Sequence, residues 1–464
     1  MWMLSPPGWQ KLRRSFWGWI PLTADYLLEG LRGALWGWHV LLGILAAGAY
    51  FSYESCFFQL LHAGTWLKAA LGSKFSPKKA SGGTTRFQAI STALAGSIGT
   101  GNIVGVAAAI TTGGPGALFW MWASAGLGMM TVFAENYLAA KNRARGRRAP
   151  GPLAYIEKAG KYGGALAAVY ALGCCLSSLG MGNMAQMNAF AAACGDLGLP
   201  IPGVAIGAAL LVYFVARGGL SLAGRIAEKL VPAMTLLFFA ASLGVIWFYR
   251  KNLPGAVESV FQGAFSLRAG AGGTAGMLIA MKAGISRGVF TNEAGLGSSA
   301  FAYQDVRDYS PEELGCMGIF QVFADTILMC TVTGLCILCC GPTQLEGAAL
   351  TFYAYRSALG QAGGWAVSLC TALFAIATVI AWCCYGREGL LYLTKGRGRK
   401  LYPLAAALAA FSGCLLPLRA VFQLGDAFNG LMAIPNLAAL FLLAGPLGKA
   451  PAALFEKTVQ KNPK

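Results

Sequence analysis

The chain has 464 residues, of which 56% are hydrophobic and 12% are charged, and its formal net charge at pH 7 is +18. A soluble domain carries about 25% charged residues, so the composition excludes a soluble globular protein and predicts an all-α polytopic membrane protein. The basic excess is compatible with a nucleic-acid partner or with a topology that places basic loops in the cytoplasm. The positions of the basic residues, considered below, favour the second.

The cysteines and histidines indicate neither a metal centre nor an enzyme. Six of the thirteen cysteines form three adjacent pairs inside apolar runs, where they read as small apolar residues. The two histidines, His39 and His62, are too few and too far apart for a metal cluster. We find no nucleophile–base arrangement, and the N-terminus lacks the order of regions that defines a secretory signal. We therefore expect no catalytic residues and no cofactor.

The chain begins with residues 1–34, where tryptophans alternate with basic residues, and this stretch is predicted to lie along the membrane surface. One transmembrane domain is predicted over 35–448, followed by a cytoplasmic tail at 449–464. Eleven membrane spans are predicted, at about 35–51, 87–111, 117–140, 164–194, 201–216, 230–249, 274–300, 316–341, 364–386, 402–417 and 421–447.

An odd number of spans places the two termini on opposite sides of the membrane. If the N-terminus is outside, most of the 36 lysines and arginines fall on the cytoplasmic side, in the loops at 68–86, 141–161 and 387–400 and at the C-terminus. The positive-inside rule then accounts for the net charge. No nucleic-acid partner is needed.

The second span contains a cluster of glycines and polar residues that a continuous helix would avoid. Residues 95–105 hold Gly96, Gly99, Gly101 and Gly105 together with Ser97, Thr100 and Asn102. A helix interrupted in the bilayer is tolerated where its freed backbone groups are buried or line a cavity. Its N–H groups then suit a carboxylate and its carbonyls suit a small cation. The alternative is a tight helix–helix contact through small residues.

A second stretch that is similarly rich in glycine, hydroxyl residues and asparagine lies at 284–297, near the end of the span at 274–300. Without the first span, the remaining ten divide into two groups of five, each opened by a glycine-broken helix. Repeat one covers about 87–249 and repeat two about 274–447. Because five is odd, the two repeats have inverted orientations. Paired broken helices in inverted repeats are typical of secondary transporters, which bind substrate near the midplane.

Further polar residues lie within the predicted spans. Ser177 and Asn183 are predicted to hydrogen-bond between helices. Buried carboxylates in a membrane are functional by default, and they occur at Glu135, Glu293 and Asp325. Glu293 is predicted to pair with Arg287 or Lys282.

Two threonines, Thr371 and Thr378, lie seven residues apart and share a helix face. Each either bonds its own i−4 carbonyl or offers a neutral hard oxygen that suits an alkali ion.

Four segments in chain order carry a resemblance to a known family. They are Ser97–Ala107 (SIGTGNIVGVA), Gly113–Trp122 (GGPGALFWMW), Arg287–Gly297 (RGVFTNEAGLG) and Phe428–Asn436 (FNGLMAIPN). The sequence resembles the alanine/glycine:cation symporters, sodium-coupled amino-acid carriers of bacteria and archaea, from about Trp36 to Gly448. The resemblance implies a leucine-transporter-type fold of five-plus-five inverted repeats with one extra N-terminal helix. It also implies a multi-pass protein of the bacterial or archaeal cell membrane.

The resemblance also implies a binding site. The substrate carboxylate would lie at the break over Gly99–Asn102, on N–H groups of Thr100 and Gly101, with Asn102 bracing the break or reaching the ligand. Gln186 and Asn292 match family positions that face the amino acid, and Trp382 matches a bulky residue that would roof a small pocket. A sodium ion would bind the carbonyls of Ala95 and Ile98 together with Thr378. Family members often carry two adjacent hydroxyls where this chain has Ala377-Thr378.

These features predict a sodium-coupled symporter that imports alanine or glycine by alternating access, with sodium as the coupling ion. A proton-coupled carrier that uses Glu135 or Glu293 is the principal alternative, and a transporter-derived sensor is another. A membrane enzyme lacks support from the sequence, and inverted repeats argue against a channel.

Overall fold

The computed structural model describes residues 22–72, 85–143, 149–265, 274–306, 309–341, 343–445 and 451. Every regular element in these ranges is helical. The α-helices are α1 Leu22–Leu35, α2 Trp38–Glu54, α3 Phe58–Leu61, α4 Ala63–Leu71, α5 Arg86–Ser97, α6 Val104–Gly113, α7 Gly116–Lys141, α8 Leu153–Ile156, α9 Gly163–Leu179, α10 Ala185–Asp196, α11 Ile201–Gly218, α12 Leu220–Phe248, α13 Leu253–Phe265, α14 Thr274–Asn292, α15 Ser299–Ala302, α16 Pro311–Val322, α17 Thr331–Cys340, α18 Gly347–Leu393, α19 Leu401–Leu415 and α20 Leu418–Leu442.

Seven helices of the described ranges are long and apolar enough to cross a membrane, or eight if the bent pair α5–α6 is one span. This agrees with a polytopic membrane protein. A helix covers each of the eleven predicted spans, but the count of eleven stays a prediction. The 15-residue α19 is short for a bilayer core of about 30 Å, and α14 carries the charged residues Lys282 and Arg287.

The structure differs from the predicted spans in three places. Helix α12 begins about ten residues before the predicted span at 230–249, so Arg225 and Lys229 are helical. Helix α13 occupies a stretch that was predicted as a connection. Helix α18 extends well beyond 364–386, and Gly360 interrupts it with a φ of +65°. The leading part of α18 is therefore a separate helical piece, which apolar runs alone do not reveal.

Local sequence explains where the helices that frame the site begin. At the start of α5, the Thr85 hydroxyl accepts from the Gln88 N–H at 3.1 Å, and the Gln88 side chain accepts from the Thr85 N–H at 3.1 Å. Ser310 and Glu313 form the same reciprocal cap at the start of α16. Such capping boxes satisfy backbone donors that a helix start leaves free.

Helix packing is reciprocal between the two halves of the chain. The helices at the same position in the two predicted repeats, here called counterparts, are α7 and α16, α9 and α18, α11 and α19, and α12 and α20. Helix α9 packs against α20, and in the same way α18 packs against α12. Three pairs of counterparts contact each other directly: α7 with α16, α9 with α18, and α11 with α19. The second half of the first broken helix, α6, packs against α14. The half of the first broken helix that follows its break therefore lies along the half of the second that precedes its break.

The two ends of the chain are described only in part. Residues 1–21 of the predicted interfacial segment lie outside the described residues, and so does the predicted tail at 449–464 except for residue 451. Helix α1 packs against α20, where Gln423 Nε2 donates to Glu29 Oε2 at 2.8 Å. All thirteen cysteines are free.

Candidate functional site

The first broken helix is interrupted where the glycine cluster predicts. Helix α5 ends at Ser97, a 3₁₀ turn covers Thr100–Asn102, and the two halves meet at an angle of 52°. The Gly99 N–H donates to Asn102 Oδ1 at 2.9 Å, so it does not bond the Ala95 carbonyl four residues earlier. The Ala95 carbonyl therefore has no hydrogen-bond donor among the described residues. The break is confirmed, and a continuous helix with small residues at a contact is excluded.

Gln186 lies against this break from the neighbouring helix α10. Its Oε1 accepts from the Thr100 N–H at 3.0 Å and from the Thr100 hydroxyl at 2.9 Å. Its Nε2 donates to the Met181 carbonyl at 3.1 Å, within the π-helical turn Gly180–Met184. The Thr100 N–H, which was predicted to hold a carboxylate, is therefore engaged by Gln186. Among the described residues the Gly101 N–H has no acceptor, and it is the free donor of the break.

Thr378 contacts the break from α18. Its hydroxyl lies 3.4 Å from the Ile98 carbonyl, whereas the hydroxyl of Thr371 donates to the Val367 carbonyl of its own helix at 2.7 Å. Thr371 therefore bonds its own i−4 carbonyl, whereas Thr378 contacts the carbonyl of another helix, and its role as a sodium ligand stays a prediction. The Thr378 hydroxyl and the Ile98 carbonyl, with the free Ala95 carbonyl one turn earlier, are neutral hard oxygens of the kind that an alkali ion accepts.

Asn102 braces the break on its other side. Its Nδ2 donates to Oδ1 of Asp325 at 2.7 Å and to the Asp325 carbonyl at 3.0 Å. Asp325 belongs to the π-helical segment Phe323–Cys330, and its Oδ2 accepts from the Thr326 hydroxyl at 2.7 Å. Both ends of the Asn102 amide are therefore used within the protein, which favours bracing over direct contact with a ligand.

Asn292 ends α14 at the second break. Its Oδ1 accepts from the Ala294 N–H at 3.0 Å, and its Nδ2 lies 3.2 Å from the Thr326 hydroxyl. After Asn292 the chain unwinds, with positive φ at Glu293, Gly295 and Gly297, before α15 begins. The second predicted break is therefore confirmed. Asn292 contacts Thr326, whose hydroxyl bonds the same Asp325 carboxylate that Asn102 bonds. Contact between Asn292 and a substrate stays a prediction.

Trp382 connects the two breaks. Its Nε1 lies 2.8 Å from Oε1 of Glu293 and 3.3 Å from the Gly96 carbonyl, and the side chain is fully buried. Glu293 also accepts a hydrogen bond from the hydroxyl of Ser298. The predicted ion pair of Glu293 with Arg287 or Lys282 is wrong. Both basic residues lie in α14, whereas Glu293 follows the end of that helix, and the unwound backbone there directs its side chain towards Trp382.

Arg287 pairs instead with Asp426 of α20. The guanidinium lies 5.0 Å from the ring centre of Phe290 and 4.8 Å from that of Phe422, so the buried ion pair is enclosed by two aromatic faces. Lys282 is exposed. Asp426 is not among the predicted site residues, although an isolated acidic residue in an apolar run is a signal that could have identified it.

Glu135 holds the far end of the second break. Its Oε1 accepts from the Gly297 N–H at 3.0 Å and from Nδ2 of Asn436 at 2.7 Å. Asn436 also donates to the Gly295 carbonyl at 2.9 Å and accepts a hydrogen bond from the hydroxyl of Tyr155. Within the described ranges, Glu135 Oε2 is buried and has no hydrogen-bond partner. This carboxylate therefore ties helix α7 to the unwound segment and to α20.

A cavity of about 260 Å³ lies elsewhere, between the end of α7, α8 and α15. Its lining includes Asn136, Arg143, Tyr303 and Gln304 and none of the residues predicted to bind amino acid or sodium. The residues of the first break instead pack closely against one another. A Cβ added at Gly101 would lie 2.8 Å from Cγ2 of Thr291.

Comparisons with known proteins cover nearly the whole chain. The sequence profile of the "Sodium:alanine symporter family" matches residues 23–463. A sodium/alanine symporter of Methanococcus maripaludis is 36% identical over 94% of this chain and 98% of its own. Two proteins of Bacillus subtilis are each 32% identical: a putative sodium/proton-dependent alanine carrier, over 91% of this chain and 90% of its own, and a probable sodium/glutamine symporter, over 90% and 88%.

Proposed function

As a member of the sodium:alanine symporter family, this chain is a cation-coupled amino-acid symporter of the membrane, and we propose that it imports a small neutral amino acid, alanine or glycine, with sodium. The observation that carries this proposal is the approach of Thr378 to the Ile98 carbonyl at the first break. There, freed carbonyls and a free N–H lie within a few residues of each other, so one interrupted helix offers sites of both polarities.

The proposed sodium ligands are the carbonyls of Ala95 and Ile98 and the hydroxyl of Thr378. The Ala95 carbonyl has lost its helical donor, and Thr378 lies on a different helix. An ion bound to all three would fix α18 against the first broken helix. Three neutral oxygens suit a monovalent cation better than a divalent one, which favours carboxylates.

The proposed substrate site is the other face of the same break. The Gly101 N–H would receive the carboxylate, and the bond of Gln186 to Thr100 would position the turn. Thr291 and Phe290 stand beside Gly101: a Cβ added there would lie 2.8 Å from Cγ2 of Thr291 and 3.4 Å from Cδ1 of Phe290. Trp382 would close the pocket. Such close walls support alanine or glycine over a larger substrate such as glutamine.

The proposed architecture is the five-plus-five inverted repeat of leucine-transporter type with α2 as the extra helix. The reciprocal packing of α9 with α20 and of α18 with α12 supports it. The proposed topology has the N-terminus outside and the C-terminus in the cytoplasm of a bacterial or archaeal cell, because this arrangement puts most basic loops inside.

The proposed cycle is alternating access. Sodium and the amino acid would bind the outward-facing state and favour closure by binding the two states differently. A membrane potential adds about 2.3 kcal/mol per charge per 100 mV to inward sodium movement.

Proton coupling remains the second candidate because, besides the ion-paired Asp426, three further carboxylates are buried in the described bundle, and one relative carries a sodium/proton-dependent name. Of the two candidate proton carriers, Glu135 and Glu293, Glu135 is favoured because its Oε2 is buried and has no hydrogen-bond partner among the described residues. In that case uptake would follow a proton gradient and persist without sodium.

The first test is uptake of labelled alanine into proteoliposomes at fixed pH, with and without an inward sodium gradient. We expect accumulation only with sodium, with competition by unlabelled glycine and none by glutamine. Equal uptake without sodium would contradict sodium coupling and support proton coupling instead. Accumulation of neither alanine nor glycine would overturn the proposed substrate.

The sodium site is tested with a matched pair of variants on one helix. Thr378→Val should raise the sodium concentration for half-maximal uptake about tenfold, the effect of losing one neutral ligand. Thr371→Val removes a hydroxyl that bonds only its own helix and should leave the sodium dependence unchanged. An equal response of both variants would contradict the assignment.

A further inference from the structure

Asp325 is a buried carboxylate that the proposed sodium site does not use. Its side chain is fully buried, and no Lys, Arg or His of the described ranges forms an ion pair with it. Its side-chain hydrogen-bond partners in the described part of the chain are neutral: the amide of Asn102 at 2.7 Å and the hydroxyl of Thr326 at 2.7 Å. A buried charge without an opposite charge is costly in a membrane. The site is therefore arranged for a cation that the protein itself does not supply.

The position of Asp325 relates this charge to the first break. Asn102 bonds the Gly99 N–H through its Oδ1 and Asp325 through its Nδ2. The carboxylate of Asp325 and the N–H of Gly99, two residues before Gly101, thus lie on either side of one asparagine side chain. Thr291 touches both regions: its methyl group stands beside Gly101, and its hydroxyl lies 3.2 Å from that of Thr326.

We propose that Asp325 binds the α-ammonium group of the transported amino acid while the Gly101 N–H binds its carboxylate. This assignment rests on the proposed function and makes Asp325 the residue that restricts the ligand to zwitterions. Each oxygen of Asp325 has a further lone pair beyond the hydrogen bond it already accepts. The hydroxyls of Thr326 and Thr291 provide neighbouring acceptors for the remaining ammonium protons.

The charges of the loaded site then balance. A zwitterion contributes no net charge, so the single positive charge of sodium at Thr378 offsets the negative charge of Asp325. The site carries a net charge of −1 when it is empty or holds the amino acid alone, and it is neutral once sodium is bound. Sodium therefore removes the net buried charge, and the amino acid binds without restoring it.

The test compares three probes on the full chain in detergent at one fixed pH: alanine, propionate, which lacks the amine, and ethylamine, which lacks the carboxylate. Their affinities are measured by calorimetry in saturating sodium. Wild-type protein should bind alanine and neither analogue strongly. Asp325→Asn, which keeps the shape of the side chain, should weaken alanine binding about tenfold to a hundredfold and bring the affinities for alanine and propionate close together.

Glu135→Gln is the matched control, because it neutralises another fully buried carboxylate that does not contact the first break. It should keep the wild-type preference for alanine over propionate. Asp325→Glu retains the charge at a shifted position, and it should retain the preference while lowering the affinity for alanine. This second variant keeps the test decisive if Asp325→Asn does not fold.

Two results would overturn the assignment alone. One is an unchanged preference for alanine over propionate in Asp325→Asn. The other concerns thermal unfolding without amino acid. If sodium stabilises the wild-type protein there but not Asp325→Asn, Asp325 is a ligand of the coupling ion. Wild-type protein that binds no alanine in sodium would overturn the proposed function itself, and with it this assignment.

Discussion

The indole Nε1 of Trp382 lies 2.8 Å from Oε1 of Glu293 and 3.3 Å from the carbonyl oxygen of Gly96. Glu293 belongs to the second break, and Gly96 lies in the last turn before the first. One side chain on a third helix therefore holds both interruptions. A change in the position of either break alters the hydrogen bonds of the other through this indole.

Replacing Trp382 by phenylalanine should reduce both stability and uptake. The substitution keeps an aromatic ring but removes the N–H, so two buried acceptors lose a donor, at about 1–3 kcal/mol for an unsatisfied buried group. Thermal unfolding in detergent measures the first effect and alanine uptake the second. Trp365→Phe on the same helix is the control, because Trp365 is 55% exposed. Similar losses in both variants would show that the hydrogen bonds of Trp382 have no special role.

The two glycines Gly101 and Gly105 provide a matched test of the substrate site. A Cβ at Gly101 would lie 2.8 Å from Cγ2 of Thr291, whereas one at Gly105 would meet no heavy atom within 4 Å. Gly101→Ala should therefore abolish alanine uptake, since the methyl group displaces Thr291 or occupies the place of the ligand. Gly105→Ala should preserve uptake and add about 1 kcal/mol of helix stability. Retained uptake in Gly101→Ala would remove Gly101 from the site.

Arg287 and Asp426 are suited to a double-mutant cycle. Arg287→Met leaves a buried carboxylate without its partner, which should cost about 3–5 kcal/mol of stability. The double variant Arg287→Met/Asp426→Leu should be more stable than Arg287→Met, because it removes the second charge as well. Chemical denaturation of the purified protein provides the comparison. A double variant that is less stable than Arg287→Met would show that the unpaired carboxylate of Asp426 is not the cause of the loss.

Glu135→Gln separates sodium coupling from proton coupling. Glutamine retains an oxygen that accepts from the Gly297 N–H and the Asn436 amide, so the junction between α7 and the second break is preserved. Sodium-driven accumulation of alanine should continue, lowered by less than about tenfold. Uptake is measured over a range of external pH. A variant that exchanges alanine but no longer accumulates it would identify Glu135 as a proton carrier.

The two helix breaks could be predicted from sequence because glycine, threonine and asparagine within an apolar run are unfavourable in a continuous helix. The same argument cannot supply contacts between distant helices. Asp325 and Asn102 are 223 residues apart, and their hydrogen bond depends on how two helices are rotated about their axes. Both π-helical segments also went unpredicted, since one extra residue in a turn leaves no clear trace in apolar periodicity.

The partner of Glu293 shows a different limit. Pairing with Arg287 or Lys282 was expected because these are the basic residues that precede Glu293 in the same span. The helix ends at Asn292, and Glu293 has a φ of +61°. The conformation of the interruption, which the sequence does not specify, therefore decides which way the Glu293 side chain points.

The reciprocal packing of the two halves has a consequence for how many interfaces the molecule must encode. Helix α9 meets α20 as α18 meets α12. Under the proposed inverted repeat, an exchange of conformations between the two halves would leave the same pairs of helices facing each other and would move access to the opposite end. One set of complementary surfaces would then stabilise both proposed orientations, so selection on a single interface would act on both.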